Sequence, residues 1–251
     1  MKYGAKTDVG MKRKNNQDSY AVFSKSGYFC AVVCDGMGGA KGGNIASGLA
    51  VKSFATVIKK AFSARSADDF SEQDIRILMK EALDAANDAV YRKSLSEPEY
   101  EGMGTTMVAV LVCLCGTFAL NVGDSRIYQQ TDAVIQQVSK DHSFVQYLID
   151  KGEITQEEAA THPNKNIILR ALGVNETVEG DFFRIDNYHR ILLCTDGLTN
   201  HVSNERIGEI MMGAYASKRP SYKSRTDMLI AEANANGGLD NITAVLFCGE
   251  N

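Results

Sequence analysis

Residues 20–36 read YAVFSKSGYFCAVVCDG. β-Branched and aromatic residues fill Tyr20–Phe23 and Tyr28–Cys34, and Lys25-Ser26-Gly27 between them is a turn, so this stretch predicts a β-hairpin. Strands joined by so short a link run antiparallel. The second strand ends on Asp35-Gly36, and that ending recurs along the chain.

Working outward, Thr105–Cys115 and Thr117–Val122 meet at Gly116, and Arg126–Gln129 and Val134–Val138 meet around Thr131-Asp132, which predicts two more hairpins. Two helical patterns separate the first hairpin from these. One spans about Asn44 to Phe62, with Ile45, Leu49, Phe54, Val57, Ile58 and Phe62 at helical spacing. The other starts at Ser71, has Asp74 three residues on as a capping partner, and repeats Ile75, Leu78, Met79, Ala82, Ala86 and Val90. Beyond Val138 the pattern gives short helices around Phe144–Lys151 and Thr155–Thr161, and strands near Phe182–Ile185 and Ile191–Thr195. Helices near Asn204–Met211 and Ser221–Ala235 and a last strand Ile242–Phe247 complete it. Hairpins with helices inserted in pairs imply an α+β fold of four layers, α/β/β/α, with a central antiparallel β-sandwich flanked by helices. The absence of regular β-α-β alternation argues against a doubly wound parallel sheet.

The 251 residues can bury a full core, and no linker interrupts them, so residues 1–251 are read as one domain. A formal net charge of −4 argues against nucleic acid or an anionic membrane as partner. No run approaches the ~20 apolar residues that span a bilayer, and MKYGAKTDVG lacks a leader's apolar stretch, so a soluble, cytoplasmic protein is expected. The six cysteines lie mostly in apolar runs without C-x-x-C spacing and read as reduced thiols.

Four aspartates stand at strand ends beside glycine or a small polar residue: Asp35-Gly36, Gly123-Asp124-Ser125, Asp196-Gly197 and Asp240-Asn241; a fifth, Asp18, immediately precedes a strand. Any one of them alone is an ordinary turn residue. Five at one rim would repel one another, and a divalent cation removes that conflict. Oxygen ligands without a histidine pair or cysteines suit magnesium or manganese. The stretch Asp35-Gly-Met-Gly-Gly-Ala-Lys-Gly-Gly43 invites a nucleotide-binding reading, yet Lys41 stands where G-x-G-x-x-G needs glycine, and no P-loop is present. A tight turn that brings Asp35 and the Gly36 carbonyl to a metal is the better reading. Arg13, five residues before Asp18, carries a guanidinium able to hold two phosphate oxygens.

With Arg13-Lys-Asn-Asn-Gln-Asp18, Asp35-Gly-Met-Gly-Gly39, Gly104-Thr-Thr106, Gly123-Asp-Ser-Arg126, Asp141-His142, His162-Pro through Arg170-Ala-Leu-Gly173, Asp196-Gly-Leu-Thr199 and Asp240-Asn241 in this order, the chain resembles the bacterial metal-dependent protein serine/threonine phosphatases of the 2C type. The resemblance implies hydrolysis of phosphoserine and phosphothreonine in proteins by in-line attack of a metal-bridging hydroxide. It implies two manganese or magnesium ions and a third, weaker one. Asp35 would bridge the two ions, the Gly36 carbonyl would serve one, and Asp196 and Asp240 the other. Asp124 would help hold the third, Asp18 would bind water in the metal shell, and Arg13 would clamp the phosphate. Residues 142–165 fall where these relatives carry a mobile flap. Phosphorylated proteins are the implied partners, with a serine/threonine kinase as counterpart, and a monomer is expected.

Several positions depart from the family pattern. Gln17 stands where many relatives carry glutamate, and would order a water without adding charge. Met37 and Ala40 stand where relatives often place a histidine acid, so the leaving oxygen would be protonated by a metal-bound water or by His162 of the flap. That loss, with Asn44 where glutamate is usual, keeps open a pseudophosphatase that binds phosphoproteins without hydrolysing them; a small-molecule phosphatase or other metal hydrolase is a further alternative.

Overall fold

The computed structural model describes residues 1–25, 27–132, 134–214 and 220–249. The chain begins with β1 (Tyr3–Asp8), β2 (Asp18–Lys25) and β3 (Tyr28–Met37), followed by α1 (Gly39–Ala64) and α2 (Glu72–Ser96). Next come β4 (Gly104–Thr105), β5 (Met107–Cys113), β6 (Gly116–Val122), β7 (Arg126–Thr131) and β8 (Val134–Gln137). Two short helices, α3 (Phe144–Asp150) and α4 (Gln156–Thr161), precede β9 (Asp181–Arg184) and β10 (Arg190–Cys194). The chain closes with α5 (Asp196–Thr199), α6 (Asn204–Met212), α7 (Tyr222–Ala235) and β11 (Ile242–Cys248).

One sheet has the order β1-β11-β10-β7-β8 and the other β2-β3-β5-β6-β9, with β4 pairing β3. Every named pairing is antiparallel. Strand parity explains the layers. Phe29, Ala31 and Val33 of β3 face Ile191 and Leu193 of β10 and Val245 and Phe247 of β11 across the sandwich. Cys30, Val32 and Cys34 point the other way, onto Ala50, Phe54 and Ile58 of α1 and Met79 and Leu83 of α2. On the far side, Leu192 and Cys194 of β10 and Ala244 and Leu246 of β11 meet Ile207 and Ile210 of α6 and Leu229 and Ile230 of α7. Both faces of each sheet are therefore covered, which is why the central strands are apolar throughout instead of alternating. The four-layer α/β/β/α sandwich expected from sequence is the fold observed.

Some boundaries differ from the reading of the sequence. β1 was not anticipated: Tyr3-Gly-Ala-Lys-Thr-Asp8 has little apolar character and is a strand because it pairs with β11, Tyr3 opposite Phe247 through Asp8 opposite Ile242. The helix expected from Asn44 starts at Gly39, five residues earlier, despite its glycines. The strand expected over Thr105–Cys115 is divided at Thr106 into β4 and β5. Of the expected turn Lys25-Ser26-Gly27, Ser26 lies outside the described residues, and Lys25 pairs with Tyr28 across it. The cap at Ser71 is reciprocal: Asp74 N–H donates to Ser71 Oγ at 3.2 Å and Ser71 N–H to Asp74 Oδ2 at 2.9 Å.

Candidate active site

Antiparallel pairing brings the end of one strand beside the start of the next, and the five aspartates occupy one such rim. Asp18 opens β2, and the register sets it directly opposite Asp35 in β3. Asp124 follows β6, whose final residue Val122 pairs with Met107 at the start of β5. From the other sheet, Asp196 begins α5 just after β10, and Asp240 precedes β11. Asp35, Asp124, Asp196 and Asp240 line a single cleft of about 900 Å³, together with Gly36 and Arg13. Asp18 is buried at 7% exposure and lies close enough for the charges of Asp196 and Asp240 to act on it.

Hydrogen bonds from other parts of the chain fix several of these residues. Asp18 Oδ2 accepts hydrogen bonds from Thr195 Oγ1 at 2.9 Å and Thr243 Oγ1 at 2.7 Å. Asp35 is fixed through its backbone: its N–H donates to Thr106 Oγ1 at 2.9 Å and its carbonyl accepts from Thr105 Oγ1 at 2.7 Å. Thr106 Oγ1 also meets Ser125 Oγ at 2.7 Å, which ties the Asp35 strand to the Asp124 turn. Asn200 Nδ2 donates to Asp196 Oδ2 at 3.0 Å. Two glycines make the approach possible. A Cβ on Gly36 would lie 2.0 Å from the Gly43 carbonyl oxygen, and one on Gly197 would lie 2.0 Å from that of Asn241.

Asn241 pins the loop that carries Arg13. Its Nδ2 donates to the Val9 and Asn15 carbonyls at 2.9 and 3.0 Å, and its Oδ1 accepts from the Gln17 N–H at 2.8 Å. Gln17 lines the same cleft, and its Nε2 donates to the Gly39 carbonyl at 2.6 Å, bracing the glycine turn. Arg13 stands at the mouth of the cleft with its side chain 49% exposed, and its Nη2 donates to Asp240 Oδ2 at 2.7 Å.

The electrostatics are those of crowded acids. Burial pushes the Asp18 carboxyl up to about 7, against the lowering effect of its two hydroxyl donors, and pushes Asp124 up to about 8. Asp35 and Asp196 are raised as well, first by burial and then by neighbouring carboxylates, Asp18 foremost for Asp35 and Asp240 for Asp196. Asp18 Oδ1, Asp124 Oδ1 and Asp196 Oδ1 are buried with no hydrogen-bond partner. Such atoms are costly unless something positive meets them. Among the described residues no three acidic, histidine or cysteine side chains form a ready-made cage. Carboxylates ranged around an open cleft suit a hard cation that keeps several of its waters, and these residues fit magnesium or manganese on that ground.

The histidines have other employment. His142 Nδ1 accepts from the Gly123 N–H at 3.2 Å, and its Nε2 faces Asp181 Oδ2 at 3.1 Å. His189 Nε2 lies 3.1 Å from Asp132 Oδ1 on the surface. His162 Nδ1 accepts from the Asn164 N–H at 3.1 Å, with its ring 6.0 Å from that of Phe144, and it is not among the residues that line the cleft. His201 does line it, a position that sequence reading had not assigned. Residues 142–165 carry α3 and α4, and backbone bonds join the ends of this segment: Phe144 N–H donates to the Ile167 carbonyl at 2.8 Å and Leu169 N–H to the His142 carbonyl at 2.7 Å. Lys165, Asn166 and Ile168 at its return line the cleft.

A sequence profile described as "Protein phosphatase 2C" matches residues 11–236. The chain belongs to the protein phosphatase 2C family. It is a phosphatase of the serine/threonine class. The serine/threonine phosphatase stp of Listeria monocytogenes serotype 4b is 38% identical to this 2C-type phosphatase over 244 residues, covering 96% of this chain and 93% of that protein. The serine/threonine protein phosphatase PstP of Mycobacterium tuberculosis is 36% identical over 247 residues, 98% of this chain and 44% of PstP. Among solved structures, Stp1 from Staphylococcus aureus superposes with a TM-score of 0.88 at 33% identity, covering 100% of this chain and 96% of that one. The catalytic domain of PstP in complex with two manganese ions superposes with a TM-score of 0.77 at 34% identity, covering 97% and 96%. Among the described residues no helix is long and apolar enough to cross a membrane.

Proposed function

We propose that this member of the family hydrolyses phosphoserine and phosphothreonine in proteins with two divalent cations, manganese or magnesium, in the carboxylate cleft. The observation that carries the reading is the set of buried, partnerless carboxylate oxygens on Asp18, Asp124 and Asp196, beside Asp35 at one rim. Asp35, with the Gly36 carbonyl, would hold both ions; Asp196 and Asp240 would hold one of them; Asp18 would anchor water in the shell; Asp124 would hold a third, weaker ion. When bound, the cations supply an acidified water as nucleophile and positive charge for the phosphoryl oxygens. Arg13 supplies the directional part of phosphate binding. Its guanidinium, now on Asp240 at the cleft mouth, is placed to turn to phosphate oxygens and hold two of them at once. Lys14 and Lys165 line the same cleft and add attraction for a dianionic ester.

The proton for the departing serine or threonine oxygen does not come from an imidazole in this reading. His162 lies outside the cleft lining, and both ring nitrogens of His201 are engaged in hydrogen bonds. Loss of His162 is expected to leave rates on a phosphopeptide and on an aryl phosphate, whose leaving group needs no acid, equally unaffected. The pseudophosphatase alternative gains no support: all five aspartates are in place, and the relatives named above carry phosphatase names. The test is release of phosphate from a phosphothreonine peptide with manganese, with chelator, and in Asp35→Asn. Activity in manganese alone is the expected result; activity that survives chelator or the substitution would refute the two-cation mechanism.

A further inference from the structure

His201 joins the two loops that carry Asp196 and Asp240. Its Nδ1 lies 2.9 Å from the Gly197 carbonyl oxygen, the residue after Asp196. Its Nε2 accepts the Leu239 N–H at 3.1 Å, the residue before Asp240. Only one protonation state satisfies both contacts. A carbonyl oxygen can only accept, so Nδ1 carries the proton; a backbone N–H can only donate, so Nε2 is bare. The neutral Nδ1–H form is therefore the one this geometry selects, although the opposite form predominates in a free histidine side chain. The ring is seated as well as bonded. It packs beside Gly237, where an added Cβ would lie 3.7 Å from His201 Cδ2, and the Asn236 amide donates to the His201 carbonyl at 2.8 Å.

We propose that His201 is a positioning residue that sets the separation of the Asp196 and Asp240 carboxylates by clasping the two loops that carry them. The inference rests on the two-cation reading above, in which those two aspartates serve the same ion. The need for a clasp is local. Asp196 begins a helix of only four residues, α5, and Asp240 stands in the loop Gly237-Gly-Leu-Asp-Asn241 ahead of β11, so neither carboxylate lies within a paired strand. Side chains that orient metal ligands from behind commonly change metal affinity by 10–100-fold when removed.

The test is calorimetric titration of manganese into chelator-treated wild type, His201→Phe and His201→Gln. Phenylalanine keeps the ring and loses both hydrogen bonds; glutamine offers one acceptor and one donor in their place. We expect His201→Phe to bind manganese about tenfold or more weakly and His201→Gln to recover part of that loss. In turnover assays the defect is expected in the manganese concentration needed for half-maximal rate, and not in KM for the phosphopeptide. The 15N spectrum of the His201 ring in the folded wild type provides a readout that needs no variant: protonated Nδ1 with bare Nε2 supports the clasp, and a protonated Nε2 overturns it. Manganese affinity of His201→Phe within twofold of wild type also overturns it. A wild type that binds no manganese would instead overturn the two-cation reading, and the clasp with it.

Discussion

The two sides of the cleft are built by different means. On one side, Asp18 and Asp35 stand opposite each other on paired strands, and the ladder that holds them continues through Lys25 and Tyr28. On the other, Asp196 and Asp240 occupy a one-turn helix and a loop, held by Asn200, His201 and the backbone around Asn241. Strand-borne carboxylates are placed by the core itself, so moving them means breaking the sheet. The carboxylates on the short helix and the loop depend on a few side-chain hydrogen bonds, each of which can be removed singly.

That contrast orders the expected effects. Asp35→Asn, on the rigid side, should lower kcat/KM on a phosphothreonine peptide by on the order of 10³-fold, since several kcal/mol of charge stabilisation depends on it. Manganese at about 100 times its Kd should stabilise the wild type by about 2.7 kcal/mol. For a domain of this size that is a rise in Tm of roughly 5–10 °C, measured against the same protein in chelator. Asp35→Asn should show little of that rise; an equal rise would place the ions elsewhere.

Next in size is Asn241→Ala. It removes three hydrogen bonds that pin the Arg13–Gln17 loop and should cost about 2–3 kcal/mol, seen as a Tm lower by roughly 4–12 °C in chelator. Thr243→Val removes one of two hydroxyl donors to Asp18 and should cost about 1–2 kcal/mol. A strand-side carboxylate that the sheet alone supports would lose less.

The pH dependence of the chelated protein has a definite sign. The Asp18 and Asp124 carboxyls are pushed by burial to about 7 and about 8, above the ordinary 3.8, so the folded chain retains protons that the unfolded chain has released. Stability in chelator should therefore fall as pH rises from about 4 towards 8. Saturating manganese should remove most of that fall, and a flat Tm across this range in chelator would contradict the burial of these acids.

How much of this was readable from sequence follows the same division. β3, β5, β10 and β11 announced themselves because both their faces are buried and their runs are apolar throughout. The aspartates at their ends were visible with them. β1 was not, because its six residues are a strand only by pairing with β11. The first turn of α1 was hidden by glycines, whose poor helix propensity is overridden by close packing of Gly42 against Met103 and of Gly43 against Gln17. The supports of the site were invisible for another reason: Thr195 and Thr243 meet Asp18 across 177 and 225 residues of chain, and no local pattern encodes such a contact. His201 received no role from the sequence, since nothing near it in the chain identifies Leu239 as its partner.

The partnerless oxygens of Asp18, Asp124 and Asp196 have a consequence outside catalysis. A fold that is more stable with its ions than without them populates its opened, cleavable forms more often when those ions are scarce. In the two-cation reading, proteolytic lifetime would follow the free supply of the ion, and a cell starved of it would lose copies of the chain as well as their turnover.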